Sequence, residues 1–554
     1  FEIINQYEIG RFITPYGIGF DLGPNGFTYV YDVTDYQSLL QGDVDFQAHN
    51  TQELVDIQFL FVEGTPPRDV LEIQRLWNGL GSFKYNNLDN DVDLTATDVE
   101  INAEGEMFKV RSRITGHGHN GSNNCCEWGF GVGRDHELLI DGELRDTWEI
   151  WQEEECGDNP NISQGGTWPY AREGWCPGDI VEEHEFDITP FVTPGTTASI
   201  DYDIEDVPAG DPDQGNGNYV IAMHMVTYGK ANFNLDAAVV DVLNPNDWKY
   251  YSKWNPTCQN PRILIKNTGA NELTSCKIDV WIGGYDNVIT FDWTGSLGFL
   301  EEEMVEIPVT SEWWADWEGK LTFNARVRQP NDGVDEYSNN DIYRVNFEAA
   351  PVINELFFIW FKTNNKAAEN QITLTNQDGE VVYSRLTLEN ETEYKDTMDL
   401  DPGCYTLELT DTDHDGISFW AATDETNGFL RLREVGGGMI ETFDPDFGHY
   451  MKHTFSVGYA VGLDEEEKLN YNIEVYPNPN NGEFNLTLDN FNGEEILLEV
   501  YNEVGAIAYS ESITDMNEAG YMQRQINLSN LSEGVYFIHV VSDNKSVTKR
   551  IVIQ

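Results

Sequence analysis

Short alternations of apolar and polar residues recur along most of the chain. In residues 108–114, Phe108, Val110 and Ile114 are separated by polar residues, a period of two that places successive side chains on opposite faces of a strand. Gly-Asn and Asn-Gly pairs recur between such runs, and these pairs favour tight turns. No long stretch shows the period of about 3.6 residues that marks an amphipathic helix. The pattern predicts an all-β protein built from β-sandwiches.

Composition changes divide this strand-rich sequence into segments. They fall near residues 243–246, near residues 348–351 and in the acidic stretch 462–468. A chain of 554 residues is longer than one hydrophobic core usually spans, since domains average about 100 to 200 residues. The resulting prediction is an immunoglobulin-like spacer over residues 244–350, a further β-sandwich over 351–460 and a linker over 461–472.

The chain is strongly acidic throughout. It has 32 Lys plus Arg against 97 Asp plus Glu, a formal net charge of -65 at pH 7. Such a surface repels phosphate backbones and anionic lipid headgroups while it attracts divalent cations, which excludes nucleic acid as a partner. Aromatic residues make up 12% of the chain, enough apolar area to argue against disorder. The longest apolar runs, such as residues 356–361, have strand length, so we predict no membrane insertion.

The cysteines favour an oxidising compartment. Cys156 and Cys176 form one locally spaced pair, and Cys258 and Cys276 form another, each within strand-and-turn sequence. Neither pair has the Cys-x-x-Cys spacing typical of zinc sites, so we predict a disulfide within each pair. The sequence assigns no partner to the remaining cysteines, Cys125, Cys126 and Cys404.

An Asp-rich motif follows a strand signal in the second half of the chain. Asp411, Asp413 and Asp415 alternate and are followed by Gly416, a pattern whose carboxylates can bind a hard cation such as calcium. The twelfth position of the motif is Ala422 rather than Glu, which excludes an EF-hand. Two interpretations remain open, a structural calcium loop within a β-sandwich and a plain Asp-rich turn.

The end of the chain carries a series of motifs. They are Pro477, Asn478, Pro479 and Gly482 in a turn, the strand-like residues 531–537, and Lys549 and Arg550 near the last residue. The series resembles the type A C-terminal sorting domain of type IX secretion cargo. The resemblance implies a β-sandwich over residues 473–554, a Bacteroidetes-type source, the type IX machinery as partner, and export through the periplasm to the outer surface or beyond. The alternative is an ordinary terminal sandwich that serves folding alone.

Two groups of motifs occupy the first part of the chain. The first group lies in residues 7–16, 31–42 and 64–66, and the second in residues 115–120, 125–128 and 172–178. Their residues, order and spacing resemble the peptide-N-glycosidase F family. The resemblance implies two tandem jelly-roll domains, over residues 1–100 and 101–243.

The resemblance also implies an activity, the hydrolysis of the amide between an Asn side chain and the glycan of an N-glycoprotein or glycopeptide, without a cofactor. This chemistry needs a carboxylate that activates water and donors that stabilise the carbonyl oxygen. Glu127 occupies the position of the family's essential glutamate, and Arg172 that of an arginine before its Gly-Trp-Cys-Pro-Gly segment. The residues expected to bind substrate are Trp128, Trp175, His117, His119 and Glu53. Core packing is the alternative role of the tryptophans, and a structural ion pair with Glu173 or with one of the acids at 153–155 is the alternative role of Arg172.

The chain departs from the family pattern at several positions. The family's primary catalytic aspartate lies upstream of the first motif, and we expect a segment before Phe1 to carry it, together with a leader. Gly129 stands where the family has a second cysteine, and His117 stands where it has tryptophan. His117 and His119 also suit copper. Enzymatic activity therefore stays open, and the alternatives are a non-catalytic glycan- or peptide-binding surface protein and a copper-dependent monooxygenase on a related fold.

Overall fold

The computed structural model describes most of the chain, and strands predominate in it. The described residues are 6–17, 20–23, 26–48, 54–77, 81–120, 123–127, 134–152, 155–206, 217–284, 287–314, 320–458, 472–489, 496–502, 507–513, 522–542 and 545–554. For residues 119, 120, 123–125, 320, 472, 474, 489, 542 and 545–548 the description covers the backbone alone. The chain divides into two compact units, Phe1–Val461 and Gly462–Gln554. The all-β class predicted from the sequence is confirmed.

The first β-sandwich of the larger unit has two antiparallel sheets. Its strands are β1 (Arg68–Arg75), β2 (Gly81–Lys84), β3 (Thr97–Glu100), β4 (Met107–His117), β5 (His119–Asn120), β6 (Asn123–Cys126), β7 (Asp135–Ile140), β8 (Glu143–Glu149), β9 (Trp151–Gln152), β10 (Arg172–Glu173), β11 (His184–Asp187), β12 (Thr197–Ile204) and β13 (Asn218–Ala231). Helical turns lie at α1 (Tyr85–Asp89), Thr34–Tyr36 and Thr189–Phe191. One sheet has the order β1-β13-β4-β11, with β2 also paired to β13, and the other has the order β3-β12-β7-β8. Beside them, β5 pairs with β6 and β9 with β10.

Strands β4 and β13 form the centre of the first sheet. Phe108, Val110 and Ile114 point into a core shared with Ile140 and Ile200 of the opposite sheet. Because side chains alternate along a strand, this register places the residues between them on the outer face of the sheet. The outer face is where the candidate site lies.

In residues 1–100, the segment expected to form the first jelly roll, the described strands begin with β1. The described residues before position 67 contain one 3₁₀ turn and no strand. The following strands β1 and β2 pair instead with β13, which is long enough to bind β4 along one edge and both of them along the other. The described residues before β1 lie across the outer face of this sheet, where Tyr7 and Val33 pack beside Ile73 and Val226.

The second β-sandwich begins earlier than the expected boundary at residue 244. Its strands are β14 (Ala237–Asn244), β15 (Arg262–Asn267), β16 (Leu273–Ile282), β17 (Ile289–Leu297), β18 (Glu302–Glu306), β19 (Lys320–Arg328) and β20 (Ile342–Glu348), with α2 (Ser311–Trp314) and 3₁₀ turns at Lys249–Trp254 and Pro330–Asp332. The sheets have the orders β14-β15-β18 and β17-β16-β19-β20. Because β14 pairs with β15, it belongs to this sandwich and not to the preceding one.

The third β-sandwich carries the Asp-rich motif. Its strands are β21 (Val352–Ile353), β22 (Leu356–Lys362), β23 (Asn370–Asn376), β24 (Val381–Arg385), β25 (Glu393–Asp399), β26 (Gly403–Asp411), β27 (Phe429–Glu434), β28 (Met439–Thr442) and β29 (Tyr450–Val457), with a 3₁₀ turn at Ala367–Glu369. The sheets have the orders β21-β29-β26-β23-β24 and β25-β22-β27-β28. The motif begins at the end of β26 and continues into the loop that leads to β27.

The disulfides agree with one expected pair and correct the other. Cys156 and Cys176 are bonded, with their Cα atoms 5.1 Å apart. The predicted Cys258–Cys276 bond is wrong, because Cys258 bonds to Cys404 across a sequence separation of 146 residues. Cys276 lies in the core of the second sandwich as a buried free thiol, and burial raises its pKa to about 12. Local spacing therefore gave the wrong partner for Cys258, because the loop that carries it lies against β26 of the next sandwich.

The second unit is a β-sandwich that contains the sorting motifs. Its strands are β30 (Asn472–Tyr476), β31 (Glu483–Asp489), β32 (Ile496–Asn502), β33 (Ile507–Ile513), β34 (Met522–Asn527), β35 (Gly534–Ser542) and β36 (Lys545–Ile553), in sheets of order β30-β31-β34 and β33-β32-β35-β36. The side-chain amide of Asn478 donates to the carbonyl oxygen of Arg550 and accepts from the N–H of Val552, both at 2.9 Å. Gly482 has a φ of +91°, and a Cβ there would lie 2.6 Å from Ser529 Cα. The motif thus joins its turn to the last strand.

Candidate functional site

The outer face of the first sheet carries a row of polar side chains. Along β4, Arg111, Arg113, Thr115 and His117 alternate with the core residues, and the first three are less than a tenth exposed. The N-terminal segment covers the row, since Arg113 Nη1 donates to the carbonyl oxygen of Glu8 at 3.3 Å. Buried charges of this kind require partners, and the covering segment supplies them.

Arg11 joins the N-terminal segment to this row. Its Nη1 donates to Thr115 Oγ1 at 2.8 Å and to the carbonyl oxygen of Val220 at 3.0 Å. Its Nε and Nη2 donate to the two carboxylate oxygens of Glu8 at 2.8 and 2.9 Å, which forms a bidentate ion pair. Sequence reasoning missed both residues, although the charged pair within the family-like motif of residues 7–16 was the available signal.

His117 ends the row on β4. Its Nε2 shares a hydrogen bond of 2.8 Å with Thr115 Oγ1, and its ring stacks on Trp175 with 5.7 Å between centroids. Burial lowers the pKa of His117, Arg11 lowers it further, and Glu127 opposes the shift. The imidazole is therefore biased towards its neutral form at neutral pH.

Glu127 follows the β5–β6 hairpin and lies against this end of β4. Its Oε2 accepts a hydrogen bond from the backbone N–H of Gly118 at 3.2 Å, and its side chain is partly buried. The N–H groups of Cys126 and Glu127 both donate to the carbonyl oxygen of Gly118, at 2.8 and 3.0 Å. Gly116 lets the hairpin approach, because a Cβ there would lie 1.7 Å from the Cys126 carbonyl oxygen. The glycines of the Thr-Gly-His-Gly-His sequence thus place the carboxylate.

Arg172 opens the short strand β10 and is fully buried. Its Nη1 donates to the carbonyl oxygen of Tyr170 at 2.6 Å, and its Nη2 donates to the carbonyl oxygen of Thr167 at 2.7 Å and to Tyr16 Oη at 3.3 Å. Burial lowers the pKa of Arg172, while Tyr16 and Glu127 oppose the shift. The guanidinium therefore organises the preceding loop and lies within electrostatic reach of Glu127.

Trp175 packs beneath these groups. Its Nε1 donates to the carbonyl oxygen of Gly116 at 2.8 Å, and the Arg172 guanidinium carbon lies 4.9 Å from its ring centroid. The side chain is only 6% exposed, and its ring also stacks on His117. This leaves little indole surface for a sugar, so the geometry favours core packing over the substrate-binding role expected from the sequence.

A buried carboxylate directly follows Arg172 in the sequence. Glu173 is fully buried, and the hydroxyl of Tyr219 on β13 donates to its Oε2. Burial raises the pKa of Tyr219 well above its ordinary value, and the charge of Glu173 is the next cause. This bond fastens β10 to the central strand of the first sheet.

Three predicted substrate-binding positions fall beyond what the structure describes. Glu53 and Trp128 lie outside the described residues, and His119 is described by its backbone alone. The proposed sugar contacts of these residues, and a copper site shared by His117 and His119, therefore stay predictions.

The Asp-rich motif does not gather its three carboxylates as one ligand set. Asp411 is fully buried, and its Oδ1 accepts the backbone N–H groups of Asp413 at 3.0 Å and Asp415 at 3.3 Å. Its carboxylate therefore binds the loop's own backbone. Within the described ranges, Asp413 meets Glu369 and Glu425 instead, with one ligand oxygen of each residue within 4.8 Å of the others.

Comparison with known proteins agrees with both resemblances. Residues 84–227 match the family described as peptide-N-glycosidase F, C terminal, and residues 474–554 match the secretion system C-terminal sorting domain. The first match contains His117, Glu127 and Arg172. The amidase named peptide-N(4)-(N-acetyl-beta-D-glucosaminyl)asparagine amidase F of Elizabethkingia miricola is 29% identical over 249 residues, which cover 42% of this chain and 67% of the relative.

Proteins with solved structures are also similar to part of the chain. PNGase F, a glycosylasparaginase from Flavobacterium meningosepticum, is 24% identical over 40% of this chain and 73% of its own, with a TM-score of 0.31. PNGF-II is 18% identical over 29% of this chain and 30% of its own, with a TM-score of 0.23.

The C-terminal match identifies the secretion route of the protein. A sorting domain of the type IX secretion system occupies the end of the chain and implies delivery to the cell surface or to the outside. Within the described ranges, none of the helices combines the length and the apolar character that crossing a bilayer requires.

Proposed function

We propose that the protein is a secreted amidase that hydrolyses the bond between a glycan and the asparagine side chain of N-glycoproteins or glycopeptides. The observation that carries the proposal is the position of Glu127. Its carboxylate lies next to the end of the polar row of β4, within electrostatic reach of His117 and Arg172. The relative from Elizabethkingia miricola is named for this kind of amide cleavage.

Glu127 is the proposed general base. The Gly118 N–H fixes its Oε2, which orients the carboxylate to take a proton from a water molecule. The water oxygen then bonds to the carbonyl carbon of the substrate amide, and the resulting tetrahedral intermediate expels the sugar-bearing nitrogen. That nitrogen receives the proton and leaves as a glycosylamine, while the asparagine becomes aspartate. The reaction uses water and side chains and needs no cofactor.

Arg172 is proposed as a positioning residue rather than a group that touches substrate. Its donors hold the carbonyl oxygens of Thr167 and Tyr170, and its side chain is fully buried. It thereby fixes the loop next to Glu127 and places a positive charge behind the carboxylate. His117, partly buried and biased towards the neutral form, can hydrogen-bond a sugar hydroxyl from the same edge.

Glycan release from a denatured glycoprotein tests the proposal. We expect the full chain to convert glycosylated asparagine to aspartate, and Glu127→Gln to lower the rate by about 100-fold or more, which is the usual contribution of a general base. Glu143→Gln is the matched control, because Glu143 is an exposed glutamate on β8 of the same sandwich. The control should keep the wild-type rate.

Arg172→Lys separates positioning from general destabilisation. The lysine keeps the charge but not the forked donors that reach two carbonyl oxygens, so both kcat and the thermal midpoint should fall, and kcat should fall even at temperatures where the variant is fully folded. Equal release by wild type and Glu127→Gln would refute the assignment of the base. Binding of a glycopeptide without any conversion would favour the non-catalytic alternative.

A further inference from the structure

A cluster of carboxylates lies where the loop between β26 and β27 meets the turn before β23. Glu369, Asp413 and Glu425 each place one oxygen within 4.8 Å of the other two. Glu369 ends a 3₁₀ turn, and the other two come from separate points of the loop. Like charges at such distances repel each other, so this arrangement costs free energy unless a cation lies among them.

Lys366 is close to this cluster without binding it tightly. Its Nζ lies 4.0 Å from Glu369 Oε1, 4.0 Å from Glu425 Oε1 and 3.7 Å from Asp424 Oδ2. These distances exceed the hydrogen-bond range of about 3.2 Å. Lys366 therefore adds one partly screened charge and leaves room for a cation with shorter contacts.

Asp415 supplies a second, independent observation at the same place. It is 2% exposed, and its Oδ1 finds no hydrogen-bond partner in the part of the chain that the structure describes. Glu369 Oε2 is likewise buried and unpartnered there. Asp415 lies in the same turn as Asp413, because the backbone N–H groups of both residues donate to Asp411 Oδ1. A buried carboxylate oxygen without a donor is destabilising, and a bound cation removes that penalty.

The loop holds these carboxylates through its own hydrogen bonds. Asp411 accepts the N–H groups of Asp413 and Asp415, and Asn364 Nδ2 donates to Glu425 Oε2 at 2.9 Å. Gly416 turns the chain at a φ of +78°, where a Cβ would lie 2.3 Å from a neighbouring carbonyl oxygen. The carboxylates are thus arranged without relying on one another.

We propose that Glu369, Asp413, Glu425 and Asp415 bind one calcium ion. All of their donor atoms are carboxylate oxygens, which hard divalent cations prefer. Glu369, Asp413 and Glu425 already place one oxygen each within 4.8 Å of one another. Calcium accepts six to eight oxygen ligands in flexible geometry, whereas magnesium demands near-ideal octahedral geometry, which separate points of a loop do not readily supply. The formal net charge of -65 further concentrates divalent cations at the surface.

The calcium-binding loop also packs against the loop that Arg172 organises. The Tyr170 ring meets Phe419 edge-on with 5.6 Å between centroids, and Trp420 Nε1 donates to the carbonyl oxygen of Gly166 at 3.1 Å. The carbonyl oxygen of Tyr170 in turn accepts the bond from Arg172. Calcium binding therefore stabilises the loop beside Glu127, and its effect on activity, though not the binding itself, rests on the proposed function.

Calorimetric titration of the full chain with calcium, after treatment with a chelator, tests the site. We expect one ion per chain and a rise in the thermal midpoint on binding. Asp413→Asn and Glu425→Gln should each weaken binding by about tenfold or more, because each removes one ligand charge. Asp413 is exposed, so its variant should fold. The matched control is Asp378→Asn, an exposed turn residue of the same sandwich, which should bind as the wild type does.

Hydrogen exchange gives the readout for the neighbouring loop. Calcium should slow exchange of peptides that cover residues 163–172 in the wild type and have no effect on them in Asp413→Asn. Absence of binding heat in the wild type, or equal binding by wild type and Asp413→Asn, would overturn the proposal. Calcium binding without glycan release would support the calcium site and refute the amidase function. Glycan release without calcium binding would support the amidase function and refute the calcium site.

Discussion

Replacement of Cys258 and Cys404 together by serine tests the connection between the second and third sandwiches. The bond closes a loop of 146 residues, and the loop-closure entropy of such a loop corresponds to about 5 kcal/mol of stability. A bond from Cys258 to Cys276 would close a loop of roughly 20 residues, worth about 3 kcal/mol. The two pairings therefore predict different losses of stability when the bond is removed.

Other contacts at this junction survive the substitution. Gln259 Nε2 donates to Thr406 Oγ1 at 3.1 Å, and Gln377 Nε2 donates to the carbonyl oxygen of Val309 at 2.6 Å. Each sandwich also keeps its own core. We therefore expect the double variant to fold and to lose about 5 kcal/mol or less, and we expect its second and third sandwiches to unfold in separate steps where those of the wild type unfold together.

Peptide mapping without reduction and urea unfolding measure these effects. Cys276→Ala is the control, because it removes the buried thiol without touching the bond, and it should cost about 1 kcal/mol. Peptides joined through Cys258 and Cys276, or loss of the Cys404 cross-link in the control, would refute the pairing. Equal stability of the double variant and the wild type would refute the estimated magnitude.

Further predictions concern the loops around the candidate site. Gly116→Ala should cost about 1 to 3 kcal/mol in urea unfolding and slow glycan release, because its Cβ would strike the carbonyl oxygen of Cys126. Trp168→Phe should cost about 1 to 3 kcal/mol, since it removes the donor to Asp446 Oδ1 at 2.9 Å. Burial raises the pKa of Asp446 to about 7, so between about pH 4 and pH 7 the folded state holds a proton that the unfolded state has lost, and stability falls as the pH rises through that window. The same urea series on Asp446→Asn should show a smaller fall, and an equal fall would contradict the assignment.

The strand pattern could be predicted from the sequence because it depends on local periodicity. Phe108, Val110 and Ile114 point into the core as their spacing required. The arrangement of residues 1–100 could not be predicted in this way, because strand pairing is a long-range choice. There, β1 and β2 pair with β13, which lies more than a hundred residues further along the chain.

Contacts between distant segments also limited prediction of the sites. The motif around Glu127 was recognisable, but Arg11, which reaches the same polar row, was not assigned. In the Asp-rich motif, the alternation of carboxylates suggested three equivalent ligands. In the structure, Asp411 instead accepts a hydrogen bond from the backbone of its own turn, and Asp413 lies close to Glu369 and Glu425. Spacing along a loop does not fix side-chain direction as it does along a strand.

The loop that holds Arg172 has support from two sandwiches. Tyr16 and Trp175 contact Arg172 from the side of the first sandwich. From the third sandwich, Asp446 accepts from Trp168, and the N–H of His449 donates to the carbonyl oxygen of Gly157 at 3.0 Å. Substitutions in the third sandwich are therefore expected to alter the position of this loop and, through it, the geometry of the proposed active site.

Hydrolysis of a purified N-glycopeptide in water enriched in heavy oxygen tests the central claim most directly. If Glu127 activates water, mass spectrometry should show aspartate with one heavy oxygen atom in place of the glycosylated asparagine. The Glu127→Gln chain should leave the glycopeptide unchanged over the same period, while Glu143→Gln should match the wild type. Unmodified asparagine after incubation with the wild-type chain, or aspartate formed equally by Glu127→Gln, would contradict the account.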